Sequence, residues 1–334
     1  MGKNFAKKLN WLGAAAIVLL PFAAAVICLC IGRMNISPAE ALSSVFGADI
    51  GKQKATVLWS QRLPRILSAA AVGAGLSVAG CVFQSMFSNP LATPDTLGVA
   101  SGASFGAAVS ILIGLKLPGI QTVAFLFGIL AIALTGLCGS NRSESRASLI
   151  LAGIMISSLF SSLVSLVKYL ADTESQLPAI TYWLMGSLSS VGFRQLSYGA
   201  PVIIISLAGV FLMRRKLDLL PLSEDEARSL GTNIKLLRAF SAVFAAAMTA
   251  AAVSMCGQVG WVGLIVPHIC RMLFGNRHKY LVPACISLGA AFMMTVDTLA
   301  RSMTASEIPV SILTSVIGAP FFIMLLRKSG GWKL

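Results

Sequence analysis

The chain has 334 residues, 56% hydrophobic and only 11% charged, with 26 Lys and Arg against 12 Asp and Glu for a formal net charge of +14. Soluble proteins carry about 25% charged residues. Here the charged fraction is less than half of that and the mean hydropathy is +0.84, too little polar surface to cover a globule in water. This excludes a soluble enzyme, a disordered chain and a secreted disulfide scaffold, and leaves an all-α polytopic membrane protein.

The first ten residues carry Lys3, Lys7 and Lys8 and precede an apolar run from Trp11 to Gly32. The run is longer than the core of a signal peptide (about 7–15 residues), and no small-x-small cleavage site closes it, so it reads as a retained first helix. Further charge-poor stretches follow at roughly 66–88, 96–115, 117–141, 147–167, 195–213, 239–256, 258–276, 280–300 and 308–326. A ~30 Å hydrocarbon core asks for about 20 residues per span. Ten spans then form one transmembrane domain over residues 11–326, between a cytoplasmic segment 1–10 and a tail 327–334.

Ala239 to Cys270 carries no formal charge over 32 residues, about 48 Å if helical throughout. Gly257, Gly260, Gly263 and Pro267 favour a break near 257–260 and a short second helix. That division places Arg271, Arg277 and Lys279, together with Arg327, Lys328 and Lys333, on the same side as the N-terminus. On this count 17 of the 26 basic residues are inside, Arg142, Arg146 and the cluster from Arg214 to Arg238 among them, and both termini are cytoplasmic. The positive charge is therefore topological and implies no nucleic-acid partner. Segment 171–195, with Pro178 and Gly186-Ser187-Leu188-Ser189-Ser190, reads as a short outer-face or re-entrant helix, since an eleventh span would reverse the parity of everything after it.

Little here supports catalysis. There are two histidines, His268 and His278, and neither an HExxH nor a GxSxG motif. Gly47-Ala-Asp-Ile-Gly51-Lys52-Gln53 has three intervening residues where a phosphate loop needs four, and Gln53 stands where the loop needs Ser or Thr. No catalytic residue, metal site, cofactor or ATP site of its own is expected. The seven cysteines lie in or beside apolar stretches without a CxxC pair and read as small core residues. Asp297 lies four residues before Arg301, so the two can pair on one helix; the alternative role for Asp297 is the coupling site of an ion-driven transporter. Asp95 reads as a helix N-cap. Gly98, Gly102 and Gly106, at intervals of four, suit close helix packing or a substrate path.

Two loops carry more information. Inside, residues 214–238 include Leu222-Ser-Glu224-Asp225-Glu226-Ala227-Arg228-Ser-Leu-Gly231, a short polar helix with an acidic first turn and a glycine stop. It is either a solvated loop or a dock for a cytoplasmic partner. Outside, Arg62-Leu63-Pro64-Arg65 stands at the entrance of the second span and Arg301 ends the ninth. These arginines either anchor lipid headgroups or receive carboxylates of an extracellular partner.

With those residues in view, the sequence resembles the FecCD family, the iron-chelate, heme and cobalamin permeases of type II ABC importers. The matching residues are Arg62-Leu-Pro-Arg65, Gly73 to Gly80, Gln84, Asn89-Pro90-Leu-Ala92-x-Pro94, Leu97-Gly98 to Gly102-Ala103 and Trp183-x-x-Gly186-Ser187. They continue through Ala227-x-x-x-Gly231, Gly257-x-Val-Gly-Trp-Val-Gly263-Leu-Ile-Val-Pro267-His268-Ile-x-Arg271, Asp297-x-x-x-Arg301, Glu307-x-Pro309 and Gly318-Ala-Pro320-Phe321. The resemblance covers about residues 55–326.

It implies a ten-helix type II permease fold in the bacterial cytoplasmic membrane, a second permease subunit, two separate ABC ATPase subunits and a periplasmic or lipid-anchored substrate-binding protein. It assigns Leu222, Glu224, Asp225, Glu226, Ala227, Arg228 and Gly231 to ATPase coupling, and Arg62, Arg65 and Arg301 to docking of the binding protein. Trp183, Gly186 and Ser187, with Gln84, Asn89 and Pro90, become candidates for the outer gate and pathway. A ferric siderophore is the expected cargo, with heme or cobalamin as alternatives; an ion-coupled secondary transporter is the reading from a different class.

Overall fold

The computed structural model describes residues 11–139, 146–304 and 306–328. Segment 1–10 and the basic residues Lys3, Lys7, Lys8, Arg142 and Lys333 lie outside the described residues. Within them every apolar stretch is helical and no strand occurs. The helices are α1 (Trp11–Cys30), α2 (Pro38–Val45), α3 (Lys52–Ala55), α4 (Leu63–Met86), α5 (Val99–Leu112), α6 (Leu117–Gly139) and α7 (Arg146–Leu170). After them come α8 (Gln176–Leu184), α9 (Phe193–Met213), α10 (Glu224–Ser229), α11 (Ile234–Cys256), α12 (Val262–Phe274), α13 (His278–Ser302) and α14 (Val310–Lys328). Among the described residues six helices, Lys52–Met86, Leu117–Gly139, Ala147–Leu170, Phe193–Met213, Ile234–Cys256 and His278–Ser302, are long and apolar enough to cross a membrane, and four shorter apolar helices of 10–17 residues lie in α1, α5, α12 and α14.

Three element boundaries differ from expectation, each for a local reason. Pro64 lacks an N–H and its ring clashes with the carbonyl four residues back. The chain absorbs this by widening into a π-helix over Thr56–Arg62, so α3 and α4 run on as one helix from Lys52 and Arg62-Leu-Pro-Arg65 lies inside it. The third stretch opens with a 3₁₀ turn, Pro94–Leu97, before Gly98 at φ +76° starts α5. Asn233 caps α11 by accepting from the Leu236 N–H at 3.1 Å, so that helix begins five residues earlier than its apolar character suggests. The break after α11 falls at Gly257, where φ is +74°; an added Cβ there would stand 2.1 Å from the Trp183 carbonyl oxygen.

α4 is the axis of the bundle, buried against α9, α11, α12 and α13. Lipid tails are as apolar as leucine, so helices in a membrane associate through close packing and small residues rather than through a drive to leave water. The Gly73 to Gly80 stretch supplies that closeness. A Cβ on Gly80 would lie 1.8 Å from the Gly263 carbonyl oxygen of α12, and one on Gly73 would lie 2.2 Å from the Gly289 carbonyl oxygen of α13. All seven cysteines are free; five are buried, Cys30 is half-buried and Cys138 is exposed, which corrects the expectation of a core residue because Cys138 lies on the outward face of α6.

Gly80→Val forces α4 and α12 apart along their whole contact, whereas Gly136→Val, at an α6 position with open space around it, does not. Overpacking costs about 1–3 kcal/mol or more in a well-packed core. Thermal unfolding of the detergent-solubilised protein should show Gly80→Val aggregated or strongly destabilised and Gly136→Val close to the parent.

Candidate functional site

One end of α4 gathers the arginines. α1 ends at Cys30, and the last carbonyls of a helix have no partner within it. Arg62 supplies partners: its Nη1 donates to the Leu29 carbonyl at 2.6 Å and the Cys30 carbonyl at 3.2 Å, and its Nη2 donates to the Met34 carbonyl. Arg301 Nη2 donates to the Cys28 carbonyl and, at 3.4 Å, to Thr298 Oγ1. The two guanidinium groups thus close the C-terminal, partially negative end of α1. Arg65 meets carboxylates instead. Its Nε lies 3.0 and 2.9 Å from the two Asp297 oxygens, its Nη2 lies 2.9 Å from Asp297 Oδ1, and its Nη1 lies 2.9 Å from Glu307 Oε1. Asp297 is fully buried.

Two expectations change here. Asp297 does not pair with Arg301 one turn on but with Arg65, 232 residues away, because the Arg65 fork reaches both carboxylate oxygens while Arg301 turns to α1. The arginines are also not an exposed patch: Arg62, Arg65 and Arg301 are 4%, 8% and 8% exposed. They line a cavity of about 230 Å³ together with Gly32, Arg33, Met34, Val57, Gln61 and Glu307. Arg33 and Glu307 belong to this site; neither has a helical spacing to Arg62 that would reveal it in sequence.

The gate candidates lie beside it. α8 ends at Leu184, and Gly186 (φ +72°) turns the chain. The Ser187 N–H donates to the Cys256 carbonyl at 2.8 Å, and the Val310 N–H donates to the Gly186 carbonyl at 3.0 Å. Trp183 and Ser187 line a cavity of about 370 Å³ whose other polar lining is Gln121, Tyr182, Ser189, Ser190, Gln195 and Ser254, without a formal charge. Tyr182 Oη donates to Ser187 Oγ at 3.3 Å, and Ser187 Oγ donates to Ser189 Oγ at 2.9 Å.

Gln84, Asn89 and Pro90 are not part of that group. Gln84 lies 22 residues beyond Arg62, about 33 Å along the helix. There its Nε2 donates to the Gly263 carbonyl at 3.1 Å and its Oε1 accepts from Arg271; Asn89 Oδ1 accepts from the Leu91 N–H at 2.9 Å in a local turn before Pro94. The same end holds a cluster that sequence spacing gave no hint of. Asp218 Oδ1 lies 2.6 Å from His278 Nδ1 and 2.8 Å from the His278 N–H, and His278 Nε2 lies 2.6 Å from Ser85 Oγ. Burial works against the Asp218 carboxylate, yet the His278 hydrogen bonds hold it below its ordinary range.

Asp218 opens the loop that carries α10, and Leu217 and Leu220 anchor that loop in the core. Ser223 caps α10, its Oγ accepting from the Glu226 N–H at 3.4 Å; in return Glu226 Oε2 accepts from the Ser223 N–H at 2.9 Å, a bond that lowers the Glu226 carboxyl from its ordinary value. Glu224 lies 3.6 Å from Arg228 and 3.5 Å from Lys235. Ala227 is buried, Gly231 turns the chain at φ +70°, and Asp225, Glu226 and Arg228 face out. In α5, Cβ atoms on Gly102 and Gly106 would stand 2.6 Å from Ala131 Cβ and 2.7 Å from the Val123 carbonyl oxygen of α6, while Gly98 faces Ile156 and Ser157 of α7. Among the described residues no group of three or more His, Cys, Asp and Glu is placed to hold a metal ion.

Residues 19–328 match the model of the FecCD transport family. The chain is 40% identical over 318 residues to a molybdate import system permease protein of Haemophilus influenzae, spanning 93% of this chain and 94% of the relative. It is 35% identical over 325 residues to a vitamin B12 import system permease protein of Klebsiella pneumoniae, spanning 96% and 95%. A solved structure described as an inward-facing conformation of a transporter assigned to the metal-chelate ABC type superposes with a TM-score of 0.88 at 39% identity, over 96% of this chain and 100% of that one.

Breaking the Arg65–Asp297 pair on one side leaves an uncompensated buried charge, which costs about 3–5 kcal/mol. Asp297→Asn and Arg65→Met should each lower the thermal midpoint of the purified protein sharply. The double variant, which removes both charges, should recover part of the loss in the double-mutant cycle.

Proposed function

The chain belongs to the FecCD transport family, and we propose that it is the multi-pass permease subunit of an ATP-driven importer in a bacterial cytoplasmic membrane. In this reading residues 11–326 form one ten-helix domain with both termini in the cytoplasm. A second permease subunit, two ABC ATPase subunits and a periplasmic or lipid-anchored substrate-binding protein complete the assembly, and ATP hydrolysis belongs to the partners.

The observation that carries this reading is the separation of two unlike surfaces along α4. At one end lies an arginine-lined cavity, near the serine-rich turn after α8. At the other an ordered acidic helix, α10, projects from a loop fixed by Leu217, Leu220 and the Asp218–His278 contact. The arginine cavity suits carboxylates of a binding protein, because a guanidinium in a partly desolvated pocket binds them with charge and geometry together. α10 suits a cleft on an ATPase subunit, with Leu222, Glu224, Asp225, Glu226, Ala227, Arg228 and Gly231 forming the contact segment. Trp183, Gly186 and Ser187 act at the outer gate. Gln84, Asn89 and Pro90 act at the inner end of the pathway, near Arg271.

A ferric siderophore is the cargo in the first reading, which the likeness to a metal-chelate type transporter supports. The relative of 40% identity named for molybdate import favours a second, the molybdate oxyanion. Both are oxygen-rich metal species, and the uncharged hydroxyl lining near Ser187 and Ser189 lets either pass without a fixed charge to trap it.

In proteoliposomes with the ATPase and binding protein, radiolabelled ferric siderophore or molybdate should accumulate only with ATP and the loaded binding protein. Arg33→Glu combined with Arg62→Gln should cut uptake about tenfold or more. Glu226→Lys should leave docking intact and weaken coupling to ATP hydrolysis. Uptake by this chain alone, driven by an ion gradient and indifferent to ATP, contradicts the proposal and restores Asp297 as a coupling site.

A further inference from the structure

Glu307 sits in the connection between α13 and α14, its side chain 26% exposed, with Oε1 2.9 Å from Arg65 Nη1 and Oε2 2.9 Å from Arg65 Nη2. Arg65 therefore carries two carboxylates of unequal standing. Asp297 is fully buried and holds Nε and Nη2, whereas Glu307 reaches the guanidinium from the cavity side and lines the cavity itself. Arg62, Arg301 and Arg33 line the same space and donate to backbone carbonyls. Glu307 is the only carboxylate among the residues that line the cavity, and it occupies the position that an incoming carboxylate would seek.

The Ile308 N–H ties the connection to the end of α13, donating to the Ala300 carbonyl at 3.2 Å; two and three residues later the chain is fastened to the gate turn, the Val310 N–H donating to the Gly186 carbonyl at 3.0 Å and the Ser311 N–H to the Met185 carbonyl at 3.4 Å. Ser187 is in turn held to α11 through the Cys256 carbonyl. Glu307 thus connects the arginine cavity to the turn after α8 through one short, proline-stiffened piece of backbone. Val310 is the first residue of α14, so movement of Glu307 is delivered to the start of that helix and to Gly186 together.

We infer that Glu307 is a positioning residue that reports docking to the outer gate: an acidic side chain of the binding protein displaces it from Arg65, and the freed 307–311 segment shifts the 185–187 turn to which it is bonded. This rests on the docking role proposed for the arginine cavity. The displacement is an exchange of one carboxylate for another on the same guanidinium: the buried Arg65–Asp297 pair stays intact, and the displaced Glu307 carboxylate turns to the solvated side of the cavity, where its side chain is already partly exposed. Of the two carboxylates on Arg65, Glu307 at 26% side-chain exposure is the one an incoming group can reach, whereas Asp297 at 1% is sealed.

The test uses the complete transporter in nanodiscs, with two readouts: affinity for the substrate-binding protein, and maleimide labelling at the gate turn of a Ser189→Cys chain whose exposed Cys138 is replaced by Ser. Docking should change the labelling rate several-fold in the parent. Glu307→Gln, which removes the competing charge, should bind the binding protein as tightly or up to about tenfold more tightly, while labelling no longer responds to docking. Val310→Pro, which removes the N–H that reaches Gly186 at a first helical position where proline is tolerated, should leave affinity unchanged and likewise abolish the labelling response. Weakened docking in Glu307→Gln with a normal labelling response in the bound fraction would make Glu307 part of the docking surface and overturn the inference. So would a normal response in both variants. Unchanged docking in Arg33→Glu with Arg62→Gln removes the docking reading and the relay with it, whereas lost docking there, alongside a normal gate response in Glu307→Gln, overturns the relay alone.

Discussion

The Arg65–Asp297 pair is the contact on which the arginine end of the structure depends. Two charges removed from water gain only when geometry and further hydrogen bonds offset desolvation, and here the offset is nearly complete: three contacts of 3.0 Å or less between the fork and the carboxylate, and Glu307 on the remaining nitrogen. The pair joins α4 to α13 at one end, while Gly73 against Gly289 joins the same helices further along. The charged contact fixes rotation and register, and the glycine contact fixes distance.

From that anchor the rest of the site follows by proximity. With α4 and α13 locked, Arg62 and Arg301 stand where α1 ends, and their donors complete the carbonyls of its last turn. The cavity between them is what remains after these obligations are met. At the far end of α4 the demands are different. Gln84 joins Gly263 to Arg271, and Ser85 meets His278, which holds Asp218 at the root of the loop that carries α10. One rigid helix therefore has polar clusters at both ends and close-packed glycines between, an arrangement that keeps the arginine cavity and the acidic helix α10 in fixed relation. The cavity near Trp183 and Ser187 lies where turns at Gly186 and Gly257 replace regular helix.

Much of this was legible in the chain. Charge-poor stretches mark the helices because hydrocarbon excludes charge. Gly257, Gly260 and Gly263 mark the break before α12, and the acidic first turn at Glu224–Glu226 with Gly231 after it marks a short helix. Asp297 was visible as an ionisable group among apolar neighbours, but its partner was not, because helical spacing points to Arg301 and says nothing of a residue 232 positions away. The same limit hid the Asp218–His278–Ser85 contacts and the membership of Arg33 and Glu307 in the cavity. Gln84 was grouped with Trp183 for a related reason: motif residues carry no record of which end of a helix they occupy. The π-helical turn before Pro64 was missed because a proline beside arginines reads as an entrance to a helix rather than as a position within one.

The central claim is that the arginine cavity and α10 stand on opposite faces of the membrane. Single cysteines at Arg33 and at Asp225, in a chain with Cys138 replaced by Ser, test it through a membrane-impermeant maleimide applied to intact cells and to inverted vesicles. The account predicts that the cysteine at position 33 labels from outside only and the cysteine at position 225 from inside only. Labelling of both from the same side contradicts it.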